Sequence, residues 1–154
     1  MSDVIYGFEG YFEDFTLGAV YRHARGKTIS ELDNVLITNM VLNTAEPHFN
    51  EHAANADPIF GHRIVYGGVT VSFVVGLAAQ DTARHALREI SMDDVKLYAP
   101  VYHGDTLYAY SDVLAVETAP EGGIVTFLHR GFNQEDRLVF SGQRKVLIRK
   151  RTQV

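Results

Sequence analysis

The segment that begins at Gly67–Gly68 and runs from Val69 to Ala86 restricts this chain more than any other. Val69, Val71, Phe73, Val74, Val75, Leu77, Ala78 and Ala79 follow one another with little polar interruption and no strict alternation. That pattern, with Ala79–Gln80–Asp81–Thr82–Ala83 behind it, predicts a helix rather than a strand. A helix that is apolar all round its circumference is a buried one. Its apolar run, Val69 to Ala79, falls well short of the roughly 20 residues that cross a bilayer, so protein must cover it.

The last third of the chain supplies a cover. Val95 to Ala99 reads as a short strand and Thr106 to Glu117 as a long one. Gly122–Gly123 makes a turn before Ile124 to Phe132, and Asn133 to Asp136 makes another before Leu138 to Lys150. Such short connections predict an antiparallel meander. A helix wrapped by a curved antiparallel sheet is an α+β architecture. The chain has 154 residues, 46% of them hydrophobic and 21% charged, which suits one domain spanning the whole length with its core from about residue 10 to 150.

Upstream the pattern is helical and loop-rich. Tyr6 to Phe15 is aromatic and acidic and reads as a segment draped over the body. Val20 to Thr28 fits a short strand. Ser30 is placed as a helix N-cap, with Asp33 three residues on in capping-box position. Leu32, Val35, Leu36, Asn39, Met40 and Asn43 then share one helical face. The helix must stop before Pro47, because the residue preceding proline avoids the α region. Asn50 to Asn55 fits one further helical turn.

Several functions are excluded. The net charge is −5, from 14 basic and 19 acidic residues, which argues against a basic nucleic-acid surface. With no cysteine there is no disulfide, cysteine nucleophile or thiolate metal site. Met1 to Gly10 has neither the basic start nor the apolar core of a signal peptide, so a cytoplasmic protein that spans no membrane is expected. No P-loop or G-x-G-x-x-G spacing implies ATP or NAD. His48 and His52 with Glu51 lack the HExxH order and a clear third ligand, so no metal is expected. His23, His85, His103 and His129 read as solvated or structural, Asp81 with Arg84 as a helix-surface pair, and the basic residues from Arg144 to Arg151 as a solvated strand end.

Particular residues sharpen this reading. Pro100–Val101–Tyr102–His103–Gly104–Asp105–Thr106–Leu107 resembles the strand-turn motif of MaoC-like hotdog proteins. Leu42–Asn43–Thr44–Ala45–Glu46–Pro47–His48–Phe49–Asn50 stands where that family has its hydratase motif, roughly Gly-Asp-x-Asn-Pro-x-His. Pro58–Ile59–Phe60–Gly61, the glycine-led helix, Gly10–Tyr11–Phe12–Glu13–Asp14–Phe15 and Arg130–Gly131–Phe132–Asn133–Gln134 also fit, so the resemblance runs from about residue 10 to 150. The Asn-Thr variant of the motif resembles the branch of mesaconyl-CoA hydratases and β-methylmalyl-CoA dehydratases.

The resemblance implies a hotdog fold and reversible addition of water to an enoyl-CoA thioester. That chemistry needs a base for water, an acid for the α-carbon and donors for the developing enolate oxygen. His48 matches the family histidine, and Asn43 sits at the family aspartate. Gly67 and Gly68 match the backbone whose N–H groups hold the thioester oxygen. A helix N-terminus suits that role, since its first amides are unpaired. Asn43 has no carboxylate and is expected to orient water or substrate through its amide.

Glu46 stands where the motif has proline, as a carboxylate able to replace the missing one. A dicarboxylic substrate is consistent with Asn43, because an aspartate there would repel the substrate carboxylate by about 1 kcal/mol in water and by several near a protein surface. Arg63 or His62, just before the helix, is then the expected positive partner. The basic tail is a further candidate, for the phosphates of CoA. CoA arrives as part of the substrate, and no metal or redox cofactor is implied. The fold implies a homodimer or a dimer-based oligomer. The rival readings are a hotdog thioesterase, for which Val69 to Ala79 offers no acid, and an acyl-CoA-binding module that has lost its chemistry.

Overall fold

A computed structural model of the chain describes residues 4–5 and 9–151. Tyr6 to Phe8 of the aromatic segment and most of the Met1 to Gly10 stretch lie outside the described residues. The strands are β1 (Val4–Ile5), β2 (Val20–Thr28), β3 (Ala86–Leu97), β4 (Thr106–Ala119), β5 (Gly122–Phe132) and β6 (Leu138–Ile148). They form one sheet in the order β1-β2-β4-β5-β6-β3. β1 runs parallel to β2, and every other neighbouring pair is antiparallel. The helices are α1 (Glu31–Met40), α2 (Glu46–Phe49), α3 (Glu51–Asn55) and α4 (Gly67–Thr82). This is the expected hotdog arrangement, with α4 laid along a curved sheet.

The meander follows from alternation. Along β4 as far as Val113, and along β5, every second residue is buried, so one face of the sheet is committed to the core. Val69, Val74 and Ala78 of α4 pack there against Leu107 and Ala109 of β4 and Val139 and Phe140 of β6. Gly131 on β5 permits this approach, because a Cβ there would lie 2.5 Å from Cγ2 of Val74. Phe15, Tyr21, Val113, Val125, Phe127, Val146 and Ile148 form a second apolar cluster. Phe12, at the start of a single 3-10 turn (Phe12–Asp14), packs against that cluster. The Ser30–Asp33 capping box is present at the start of α1.

Four expectations are corrected. First, α4 is not buried all round: Ser72, Gly76 and Gln80 are exposed, while Phe73 and Leu77 are half-buried. One sheet covers only one side of a helix. Second, α4 stops at Thr82, and the next strand starts at Ala86 rather than Val95. Arg88, Glu89, Asp93, Asp94 and Lys96 obscure that strand because it is an edge, exposed along most of its length.

Third, the apolar stripe of α1 does not face the core. Leu32, Leu36 and Met40 are 63%, 54% and 79% exposed, while Asn34 and Thr38 are fully buried. Those two polar side chains hydrogen-bond to backbone, which makes their burial tolerable. Fourth, Arg144 is not a solvated strand-end residue. It is 4% exposed and is held by both oxygens of Glu89 and by Thr82 Oγ1. Arg151, at the chain's far end, pairs with Glu9 and Asp14.

Candidate active site

A cavity of about 690 Å³ opens where the start of α4 meets the end of β3. Its polar features are His48, Thr70, the two tyrosines Tyr66 and Tyr98, and the backbone at Gly67 and Gly68. Ile64, Val65, Val71, Leu97 and Val101 supply apolar wall. No Asp, Glu, Lys or Arg is among the described residues that line it.

The glycines present donors. Tyr66 is the N-cap of α4 and its side chain caps nothing. Val69 N–H bonds back to Tyr66 C=O at 2.8 Å, but among the described residues Gly67 N–H and Gly68 N–H have no acceptor. Two free amides at the positive end of a sixteen-residue helix suit a developing oxyanion. A Cβ at Gly67 would lie 2.4 Å from Cδ1 of Leu97, so a larger residue there would have to displace that exposed side chain, which is itself cavity wall.

His48 faces the same cavity from α2. Its Nδ1 lies 3.1 Å from Ile64 C=O. A carbonyl only accepts, so Nδ1 carries the proton, and the neutral ring presents Nε2 as a lone pair. The turn around it is knitted to the segment before α4: Ile64 N–H donates to Pro47 C=O at 3.0 Å. Pro47 in the first turn of α2 fixes φ where an unpaired N–H would otherwise stand. The His48 ring is tilted against Tyr66, 5.6 Å between centroids.

The structure brings His48, Gly67 and Gly68 together. It does not bring the other expected site residues to this cavity. Asn43 turns its Oδ1 onto Ala45 N–H at 3.2 Å, a local turn such as asparagine favours. Glu46 accepts from Asn50 Nδ2 at 2.9 Å and lines a separate cavity of about 150 Å³ with Pro47, Ala54 and Phe60. Arg63 reaches back to Glu51 and Glu31, tying α3 to the start of α1, and that pairing lowers the pKa of Glu51. The His62 side chain is 76% exposed and 3.9 Å from Glu51. With Asn43, Arg63 and His62 elsewhere, the electrostatic argument linking them to a dicarboxylic substrate has no support in this geometry.

Two polar systems were not legible from the sequence. One is Asn34. Its Nδ2 donates to His48 C=O at 3.1 Å, and its Oδ1 accepts from Tyr66 N–H at 2.9 Å. The other is a buried chain that takes the place of the expected Asp81–Arg84 pair and in which His23 and His129 are structural rather than solvated. Asp81 accepts from His23 Nδ1 at 2.7 Å, and His23 Nε2 meets Ser111 Oγ at 2.7 Å. Ser111 Oγ then meets His129 Nδ1, again at 2.7 Å.

A carboxylate can only accept, so the protons order themselves from His129 toward Asp81, and His129 Nε2 is left without a donor. The bulge between Arg22 and Gly26 in β2 lies where His23 leaves the regular register. Burial lowers the pKa of His23 despite the Asp81 carboxylate. His129 is pushed down to about 3, by burial first and then by Arg144 and His23. The acid–histidine–serine order is that of a hydrolase triad, but Ser111 is 0% exposed and lines none of these cavities. The chain is therefore a structural tie between α4 and the sheet.

Comparison with known proteins gives a consistent result. A family model described as mesaconyl-CoA hydratase matches residues 9–150. A mesaconyl-CoA hydratase of Haloarcula marismortui is 36% identical over 158 residues, covering 92% of this chain and 42% of that protein. A beta-methylmalyl-CoA dehydratase of Chloroflexus aurantiacus is 35% identical over 109 residues, covering 71% of this chain and 30% of the relative. Among solved structures, a Mycobacterium tuberculosis protein with a double hotdog fold superposes with a TM-score of 0.83 at 18% identity, covering 94% of this chain and 45% of that one. The chain thus spans less than half the length of the curated relatives it matches.

Proposed function

The chain belongs to the mesaconyl-CoA hydratase family, and on that premise we propose that it reversibly hydrates an enoyl-CoA thioester, with a short branched dicarboxylic acyl group such as mesaconyl as the preferred substrate. One observation carries the reading: a histidine with a free Nε2 and two glycines with unpaired amide donors line the same cavity.

In this reading the thioester oxygen lies against Gly67 N–H and Gly68 N–H, and the double bond lies toward His48. Water adds through its oxygen to the β-carbon while one of its protons passes to His48 Nε2. The π electrons move into the thioester, and the resulting enolate oxygen is held by the two amides. The imidazolium then returns that proton to the α-carbon. One water is consumed, the ring is restored, and no electron leaves the system, so the reaction calls for no metal or redox cofactor. With no carboxylate among the described residues of the cavity wall, one histidine handles the proton in both halves. The hydroxyl and the new α-hydrogen are therefore expected on the same face.

The reading includes a homodimer or dimer-based assembly. β3 is an unpaired edge with Leu87, Met92, Val95 and Leu97 exposed, and Leu97 also forms cavity wall. A second unit along that edge covers apolar surface beside the cavity mouth. It is also where a cation for the substrate's free carboxylate would come from, since no Lys or Arg is among the described residues that line the cavity.

The test is turnover of crotonyl-, mesaconyl- and itaconyl-CoA, followed by loss of the conjugated thioester absorbance, with His48→Ala as control. Turnover of mesaconyl-CoA that disappears in the control is expected. Turnover of crotonyl-CoA alone would keep the hydratase and overturn the dicarboxylic preference. No turnover of any member, with thiol release from saturated acyl-CoAs instead, would replace the hydratase by a thioesterase.

A further inference from the structure

We propose that Asn34 is a positioning residue that fixes the separation between His48 and the Gly67/Gly68 amide donors. The proposal rests on the hydratase reading.

Asparagine is a poor choice for the interior of a helix and a costly one to bury. Asn34 is nevertheless in the middle of α1 and 0% exposed. Its amide is used at both ends, and the partners fix which end is which. His48 C=O can only accept, so Nδ2 faces it at 3.1 Å; Tyr66 N–H can only donate, so Oδ1 faces it at 2.9 Å. The first partner is the backbone of the base. The second is the residue immediately before the two free donors. One planar group of fixed size therefore spans the two halves of the site.

The span is supported on both sides. The Ser30–Asp33 capping box anchors the start of α1 one turn before Asn34. Arg63 ties Glu31 of α1 to Glu51 of α3, just beyond the His48 turn. Ile64 C=O orients the His48 ring, whereas Asn34 locates its backbone. No other common side chain fills the position. Ionised aspartate has no donor, leucine offers neither donor nor acceptor, and glutamine is one methylene too long. The apolar stripe of α1 faces solvent, and the fully buried residues of this helix, Asn34 and Thr38, are polar holding contacts beside Ile37, which packs on the core.

The test uses Asn34→Asp in the whole chain. It has two readouts: NMR signals of the Gly67 and Gly68 amides and the His48 ring, with and without butyryl-CoA, and kcat and KM on an enoyl-CoA that the wild type turns over. At neutral pH the variant keeps the Tyr66 bond but sets a carboxylate against His48 C=O. Both sets of signals should move, although Asn34 touches neither the ring nor the glycines. kcat should fall roughly tenfold to a hundredfold while KM stays within about threefold, as misplacement rather than lost binding requires. The variant-to-wild-type ratio should recover in acid, because the introduced carboxyl, once protonated, can again donate to His48 C=O and accept from Tyr66 N–H.

Unmoved signals, or a kcat loss that only tracks the unfolded fraction, would overturn the proposal. If Asn34→Asp does not fold, Asn34→Ser serves, since its hydroxyl cannot span both partners and both sets of signals should still move. If the wild type turns over no enoyl-CoA, the hydratase reading fails, and the NMR readouts decide the clamp alone: moved signals support it and unmoved signals overturn it.

Discussion

Acid should unfold this protein through His129, and the size of the effect follows from its burial. The side chain is 0% exposed, with Arg144 and His23 as its charged or titratable influences, and its pKa is pushed from 6.5 down to about 3. The unfolded chain therefore binds a proton near pH 6.5 that the folded chain refuses until about pH 3. Stability is complete above the unfolded value and falls as pH drops through that window. Between about pH 6.5 and about pH 5 the loss is roughly 1.5 × 1.36, or about 2 kcal/mol, from this residue.

His23 has the same sign, because burial lowers its pKa too, whereas the Asp81 carboxylate works against that lowering. The assay is urea unfolding by far-ultraviolet circular dichroism, since the chain has no tryptophan, at several pH values and one chain concentration. His129→Leu removes the titration while keeping bulk. Relative to its own neutral-pH stability, the variant should lose about 2 kcal/mol less than wild type at about pH 5. The difference between the two pH profiles is the readout, so the ordinary carboxylates cancel. Profiles that stay parallel to within about 0.5 kcal/mol would refute the assignment of the acid lability to this buried ring.

Three further outcomes are expected. Gly131→Ala places a methyl 2.5 Å from Val74 Cγ2 and should push α4 off β5, costing about 1–3 kcal/mol in the same unfolding assay. Ser30→Ala removes the capping-box acceptor of Asp33 N–H and should cost about 1 kcal/mol, read as a lower thermal midpoint. Hydration carried out in deuterated water should place deuterium and hydroxyl on the same face of the product; opposite faces would require a second acid besides His48, and no carboxyl is among the described residues of the cavity wall.

Much of the fold was legible because its governing residues are local. Ser30 with Asp33 marks a helix start, Gly122–Gly123 and Asn133 to Asp136 mark turns, and alternation marks the strands between them. β3 escaped because an edge strand exposed along most of its length has no alternation to read. In the candidate site, the grouping of His48 with Gly67 and Gly68 was legible because motif and helix start fix where they stand. Asn43 and Arg63 do not reach the site's cavity, because side-chain direction in a loop depends on which partner is nearest. Asn43 found Ala45 N–H, and Arg63 found two glutamates. Asn34 gave no signal at all, since its partners stand 14 and 32 residues away.

The two ends of α4 are treated in opposite ways, and the contrast bears on how the site keeps its shape. At the N-terminal end Gly67 N–H and Gly68 N–H are left without acceptors among the described residues and face a cavity. At the C-terminal end Asp81 is bound to His23, and Thr82 Oγ1 receives Arg144 at 3.1 Å. An acidic side chain near a helix C-terminus opposes the helix dipole, whereas a cation there is favourable, so Arg144 offsets Asp81. Both ties lead into central strands of the sheet, β2–β4–β5 through the histidine chain and β6 through Arg144. A helix anchored at its far end moves little when a ligand meets its near end. Donors that stay in place need no reorganisation as charge develops, the condition under which fixed amides lower a barrier most. On the hydratase reading, the buried chain is expected to act on turnover at a distance, by holding α4 rather than by touching substrate. His23→Leu, which breaks the tie at Asp81, should therefore lower kcat while leaving the cavity lining intact. An unchanged kcat in a folded His23→Leu protein would show that the sheet contacts of α4 hold the donors without it.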